Sequence, residues 1–124
     1  MAKRLGNLES TIKTNITKFC KDTLGKGPDT TSVHIWENIV IIKFEGALTT
    51  LEETLAATED GLKMVLDMRN YMLDVDSTGF KRWLERELEN SIDQICFRLN
   101  RDKKTIYLYL MLEDRVDLEV NSND

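Results

Sequence analysis

The chain has one histidine, one proline and two cysteines among its 124 residues, and these scarcities narrow its chemistry. A single histidine, His34, cannot build a histidine-rich metal site. Cys20 and Cys96 lack CxxC spacing, so in a reducing compartment they read as small buried hydrophobes. A catalytic Cys96–His34 pair would need the two side chains to meet across a sheet. No apolar run approaches the roughly 20 residues of a membrane span. The N-terminus "MAKRLGNLES" is charged but lacks the apolar stretch of a signal peptide, so a cytoplasmic location is expected. With no repeats and no low-complexity linker, residues 1–115 read as one domain. Residues 116–124 read as a flexible acidic tail.

What is present is an ordinary globular composition, 41% hydrophobic and 31% charged, with a net charge of −5. An acidic balance argues against nucleic acid as a partner. The charge is unevenly placed, because residues 1–26 carry Lys3, Arg4, Lys13, Lys18, Lys21 and Lys26 against Glu9 and Asp22. That basic segment leaves lipid or RNA contact open, although no aromatic residues interleave with its lysines as single-strand stacking would require.

Leu5, Leu8, Ile12, Ile16 and Phe19 recur at three and four residues and predict an amphipathic helix from about residue 4 to about residue 24. "GKGP", Gly25 to Pro28, follows. A lysine between glycines could cradle a phosphate, which makes Gly25, Lys26 and Gly27 a candidate anion loop. A phosphate loop, however, stands after a strand and before a helix, whereas here a helix precedes and a strand follows. The expected role is therefore a corner that stops one element and starts the next.

"SVHIWENIVIIKFEG" predicts a hairpin turning at Glu37-Asn38, with Asn38 as the residue suited to positive φ. Val33, Ile35, Val40, Ile42 and Phe44 then share one face. Next, "LTTLEETLAATEDGLKMVLDMRNYMLDV" has helical spacing throughout, opened by a Thr49–Glu52 capping box. Gly61 costs this helix about 1 kcal/mol against alanine. "DSTGF" resets the chain, and Phe80, Trp83, Leu84 and Leu88 mark a shorter helix. "SIDQICFRLNRDKKTIYLYLMLE" predicts a second hairpin turning at Asp102-Lys103, with Ile95, Phe97, Leu99, Ile106, Leu108 and Leu110 on one face. The expected fold is α+β, in the order α-β-β-α-α-β-β, with a four-stranded antiparallel sheet and helices on one face.

Both hairpins leave a second face that is not cleanly polar. The first contributes His34, Trp36, Ile39 and Ile41. The second contributes Cys96, Arg98, Tyr107, Tyr109 and Met111. A half-wet sheet normally alternates apolar-in with polar-out, and Trp, Tyr, Met and Arg are types enriched at interfaces. If the hairpins join edge to edge, these residues form one patch, expected to pair with a second copy or a partner unless helix 1 or the C-terminal tail covers it.

Residues 25 to about 112 resemble the MpsC-like family, the Na+-translocating membrane-potential-generating system domain, first described as a bacterial domain of unknown function. The resemblance rests on Gly25-Lys26-Gly27-Pro28, on the strand pair "VHIWENIVIIKFEG", on the helix start "ALTTLEETLA" followed by Gly61 and Arg69, and on the closing "YLYLML". Thr50 stands where the family usually has proline, and "ENSID" replaces its usual glycine before the third strand. The resemblance implies a small soluble component accompanying a membrane system for cation or inorganic-carbon movement and does not imply a catalytic centre; the expected role is non-enzymatic, with no cofactor. Translocation itself would fall to membrane-spanning partners. A small anionic-ligand or nucleic-acid module using Lys26 and the basic helix is the alternative reading.

Overall fold

The computed structural model describes residues 5–75, 79–100 and 105–116. The second hairpin's turn at Asp102-Lys103, the "DST" of the reset and residues 117–124 of the acidic tail lie outside them. The elements are α1 (Leu5–Leu24), β1 (Thr30–Trp36), β2 (Ile39–Glu45), α2 (Thr50–Leu55), α3 (Glu59–Val75), α4 (Phe80–Leu88), β3 (Ile92–Leu99) and β4 (Thr105–Leu112). The fold is α+β and its order follows the expected layout, with the second helical segment divided in two.

The division has a local cause. Thr58 Oγ1 accepts a hydrogen bond from Gly61 N at 3.0 Å, so Thr58 opens a new helix with Glu59 and Asp60 in its first turn. Acidic residues favour that end of a helix dipole. Gly61 packs so closely under α2 that an added Cβ would lie 1.7 Å from the Leu55 carbonyl oxygen. The glycine therefore serves the joint between two helices rather than weakening one long helix.

Both hairpins take the registers that their apolar alternation dictates. In the first, Trp36 pairs with Ile39, Ile35 with Val40 and Val33 with Ile42. The left-handed residue of its turn is Glu37 (φ 54°), not Asn38 as the residue types suggested. Asn38 is committed elsewhere: its Nδ2 donates to the Leu112 carbonyl at 3.1 Å, and its own carbonyl accepts from Leu112 N at 2.8 Å. In the second hairpin, Leu99 pairs with Ile106, Phe97 with Leu108 and Ile95 with Leu110. An irregularity between Ile92 and Gln94 lets both Ile92 and Ile95 turn toward the core, which strict alternation forbids.

The sheet order is β1-β2-β4-β3, all antiparallel, because β2 pairs with β4. One face is the core. Val40, Ile42, Phe44, Ile106, Leu108 and Leu110 are essentially inaccessible there, together with Leu8, Ile12, Ile16 and Cys20 from α1 and Leu84 and Leu88 from α4. Thr17 and Thr31 hydroxyls meet at 3.2 Å between α1 and β1, and Phe19 stacks on Phe80 at 4.4 Å between α1 and α4. Edge strand β3 is covered rather than left as a pairing template. Phe97 N donates to Asn70 Oδ1 at 2.7 Å, and Ile92 N donates to Glu85 Oε2 at 2.8 Å. Val116, assigned to the tail by sequence, is held: its amide donates to the Glu37 carbonyl at 2.9 Å and its side chain packs on the core.

Candidate functional site

The "GKGP" corner first. Gly25 has φ 81° and donates its amide to the Lys21 carbonyl at 3.1 Å, which ends α1 in a left-handed cap. Lys26 Nζ makes one long bond, donating to the Leu48 carbonyl at 3.4 Å. A cavity of about 440 Å³ opens beside it, and its lining includes Asp29, Glu45 and Glu53 along with Lys26. Three carboxylates around one ammonium form a poor anion cradle, so the loop's geometry is that of a corner.

Nearby, the capping box turns out to be half of a larger arrangement. Thr49 Oγ1 accepts from Glu52 N at 3.2 Å, and Glu52 Oε1 accepts from Thr49 N at 3.0 Å. The same carboxylate accepts two bonds of 2.7 Å from Arg69, one from Nε and one from Nη2. Arg69 Nη2 also donates to the Ala47 carbonyl at 3.0 Å, and its guanidinium stands 5.8 Å from the Phe97 ring centroid. Both residues are buried, Arg69 at 1% exposure and Glu52 at 3%. Burial pushes the Glu52 carboxyl up, but the Arg69 and Thr49 hydrogen bonds outweigh it and hold the group below its ordinary range. Burial pushes the neighbouring Cys20 thiol up to about 11, which leaves it protonated and inert at neutral pH. This clasp ties α2, α3 and the segment between β2 and α2 together. Sequence reading named both residues but did not pair them, because a capping glutamate normally faces water.

The remaining surface is the outer face of the sheet, where every candidate interface residue lies. Because β2 and β4 pair, the two hairpins form continuous rungs. One rung runs Trp36–Ile39–Met111–Gln94, the next His34–Ile41–Tyr109–Cys96, and the third Ser32–Lys43–Tyr107–Arg98. Trp36 is 68% exposed, Met111 42% and Tyr109 37%. The Tyr107 and Tyr109 rings stack at 5.8 Å, and a hollow of about 310 Å³ lies among Ile39, Ile41, Cys96, Tyr109 and Met111. Helix α1 buries its stripe in the core on the opposite side, so it does not cover this patch. His34 and Cys96 share a rung but stand on opposite edge strands, three strand spacings or roughly 14 Å apart. They cannot form a nucleophile–base pair within one chain.

The class these features define is an α+β domain whose helices cover one sheet face and whose other face presents an apolar ladder. The chain belongs to the family described as Na+-translocating membrane potential-generating system (MpsC), which it matches over residues 4–105. It is 28% identical over 81 residues to "Uncharacterized protein YbcI" of Bacillus subtilis (strain 168), an alignment covering 65% of this chain and 65% of that protein. The chain thus spans less than two thirds of that relative's length. No solved structure matches.

The residues that carry the family resemblance have structural work in this fold. Gly25 supplies a positive φ, Gly61 a close helix contact, and Glu52 and Arg69 the buried clasp. The departures are also accommodated. Thr50 is the first residue of α2, a position where proline is favoured but not required. In "ENSID", Glu89 takes the left-handed cap of α4 (φ 50°), a conformation that glycine would adopt without strain.

Proposed function

We propose that this chain is a non-catalytic interaction domain that pairs with a second copy through the outer face of its sheet. In this reading it acts as the regulatory component of a membrane-potential-generating system for cation or inorganic-carbon movement. The observation that carries the reading is the apolar ladder of Trp36, Ile39, Ile41, Tyr109 and Met111 on a face that α1 leaves uncovered. Scattered apolar side chains are normal on a surface, but a contiguous patch marks a contact.

The occupant in this reading is a second copy, because the ladder is self-complementary in its apolar character. Lys43, ion-paired with Glu45 at 3.7 Å, and Arg98 lie in the third rung, while Glu37, 3.9 Å from Arg115, follows Trp36 at the other end. A two-fold axis across the strands sets the apolar ladder of one copy on that of the other, so that the same residues meet on both sides. The family description supplies the setting. No described helix is long and apolar enough to cross a membrane, so the reading assigns translocation to partners and this chain to a cytoplasmic site peripheral to the membrane.

The test is light scattering on wild type and on Trp36→Glu combined with Tyr109→Glu. Both side chains are exposed, so the variant should keep its circular dichroism spectrum. Wild type should be dimeric and the variant monomeric. A wild type that stays monomeric at high concentration sinks the pairing.

A further inference from the structure

A second apolar surface lies on α3, on the side turned away from the core. Met64, Met68, Tyr71 and Val75 are 59%, 44%, 65% and 48% exposed. Their spacing of four, three and four is that of the a and d positions of a heptad seam. The buried stripe of the same helix, Val65, Arg69 and Leu73, points elsewhere, so the seam is not a loose part of the core. Asp60, Asp67 and Asp74, all exposed, run along one flank at seven-residue intervals. In a heptad that flanking row selects the charge of the partner. Lys63 bonds Asp67 at 2.6 Å and offsets one of the row's three charges, which leaves the flank net negative.

We propose that this seam docks an amphipathic helix of a partner protein whose apolar stripe is flanked by Lys or Arg. The aspartate row complements such a flank and repels an anionic lipid surface. Antiparallel self-pairing would set the aspartate row of one copy against that of the other. The two methionines give the seam a face that adapts to the partner's side chains. It shares no residue with the outer sheet face, so one chain can pair with a copy and hold a basic helix at once.

The probe is a labelled peptide of about three heptads, with Leu at a and d and Lys at e and g. Fluorescence anisotropy with the full chain should show saturable binding that weakens as salt is added. Met68→Glu with Tyr71→Glu should abolish it without changing the circular dichroism spectrum. Asp60→Asn, Asp67→Asn and Asp74→Asn together should weaken it about tenfold and flatten the salt dependence. The proposal is overturned if the peptide does not bind, if the same peptide with Glu flanks binds equally, or if Met68→Glu with Tyr71→Glu still binds. Adsorption to anionic vesicles through this seam would also overturn it. So would self-association that survives Trp36→Glu with Tyr109→Glu but not Met68→Glu.

Discussion

Arg69→Ala is the most informative perturbation of the fold. It removes both 2.7 Å bonds to Glu52, the bond to the Ala47 carbonyl and the cation over Phe97. A carboxylate only 3% exposed is left without its counter-charge. Breaking one side of a buried pair costs about 3–5 kcal/mol. Against a total stability of about 5–15 kcal/mol that is a large fraction. Urea denaturation followed by circular dichroism at fixed protein concentration reads the loss directly. The sign of the acid dependence follows from Glu52. Its carboxyl is held below the ordinary value, so its contribution is fully present above the unfolded value, about 4.3. It is lost as pH falls through the lower, folded value. Glu52→Gln with Arg69→Met removes both charges and keeps the acceptor that serves Thr49 N. The double variant should be more stable than Arg69→Ala and should lack this part of the acid dependence. An Arg69→Ala loss under about 1 kcal/mol, or a double variant no better than the single, would refute the clasp as a stabilising element.

Three further substitutions have defined signs. Thr49→Ala should cost about 1 kcal/mol of unfolding free energy by removing the cap on Glu52 N, and an unchanged denaturation midpoint would contradict that. Gly61→Ala should destabilise, although helix propensity alone predicts a gain of about 1 kcal/mol, because the new Cβ meets the Leu55 carbonyl; a raised midpoint would refute the close contact. At the corner, Gly25→Val should cost about 1 kcal/mol or more from its φ of 81°, while Lys26→Ala should leave stability and association nearly unchanged. Phosphate binding that vanishes in Lys26→Ala would restore the anion-loop reading.

Much of this architecture was legible because two periodicities are clean. The four-residue recurrence of Leu8, Ile12 and Ile16 set α1, and the alternation of Val33, Ile35, Val40 and Ile42 left one register open to the first hairpin. What escaped was non-local or local chemistry that periodicity does not record. The break between α2 and α3 hides inside a continuous helical pattern, and its signal, Thr58 followed by Glu59, Asp60 and Gly61, is a capping signal. The union of the hairpins through β2 and β4 had to be supposed, since no residue pattern says which edges meet. The Glu52–Arg69 clasp spans two helices and replaces solvent with a partner 17 positions away. The α3 seam was masked because its methionines sit in the same apolar string as the buried Val65 and the half-buried Leu62 and Leu66.

The outer sheet face is tested most directly by the environment of Trp36. With Trp83→Phe leaving Trp36 as the sole tryptophan, acrylamide quenching can be followed across protein concentration alongside light scattering. The account predicts that Trp36, 68% exposed in the single chain, becomes shielded as the dimer forms, with both transitions at the same concentration. A Trp36 that stays fully quenchable in a chain that stays monomeric would contradict it.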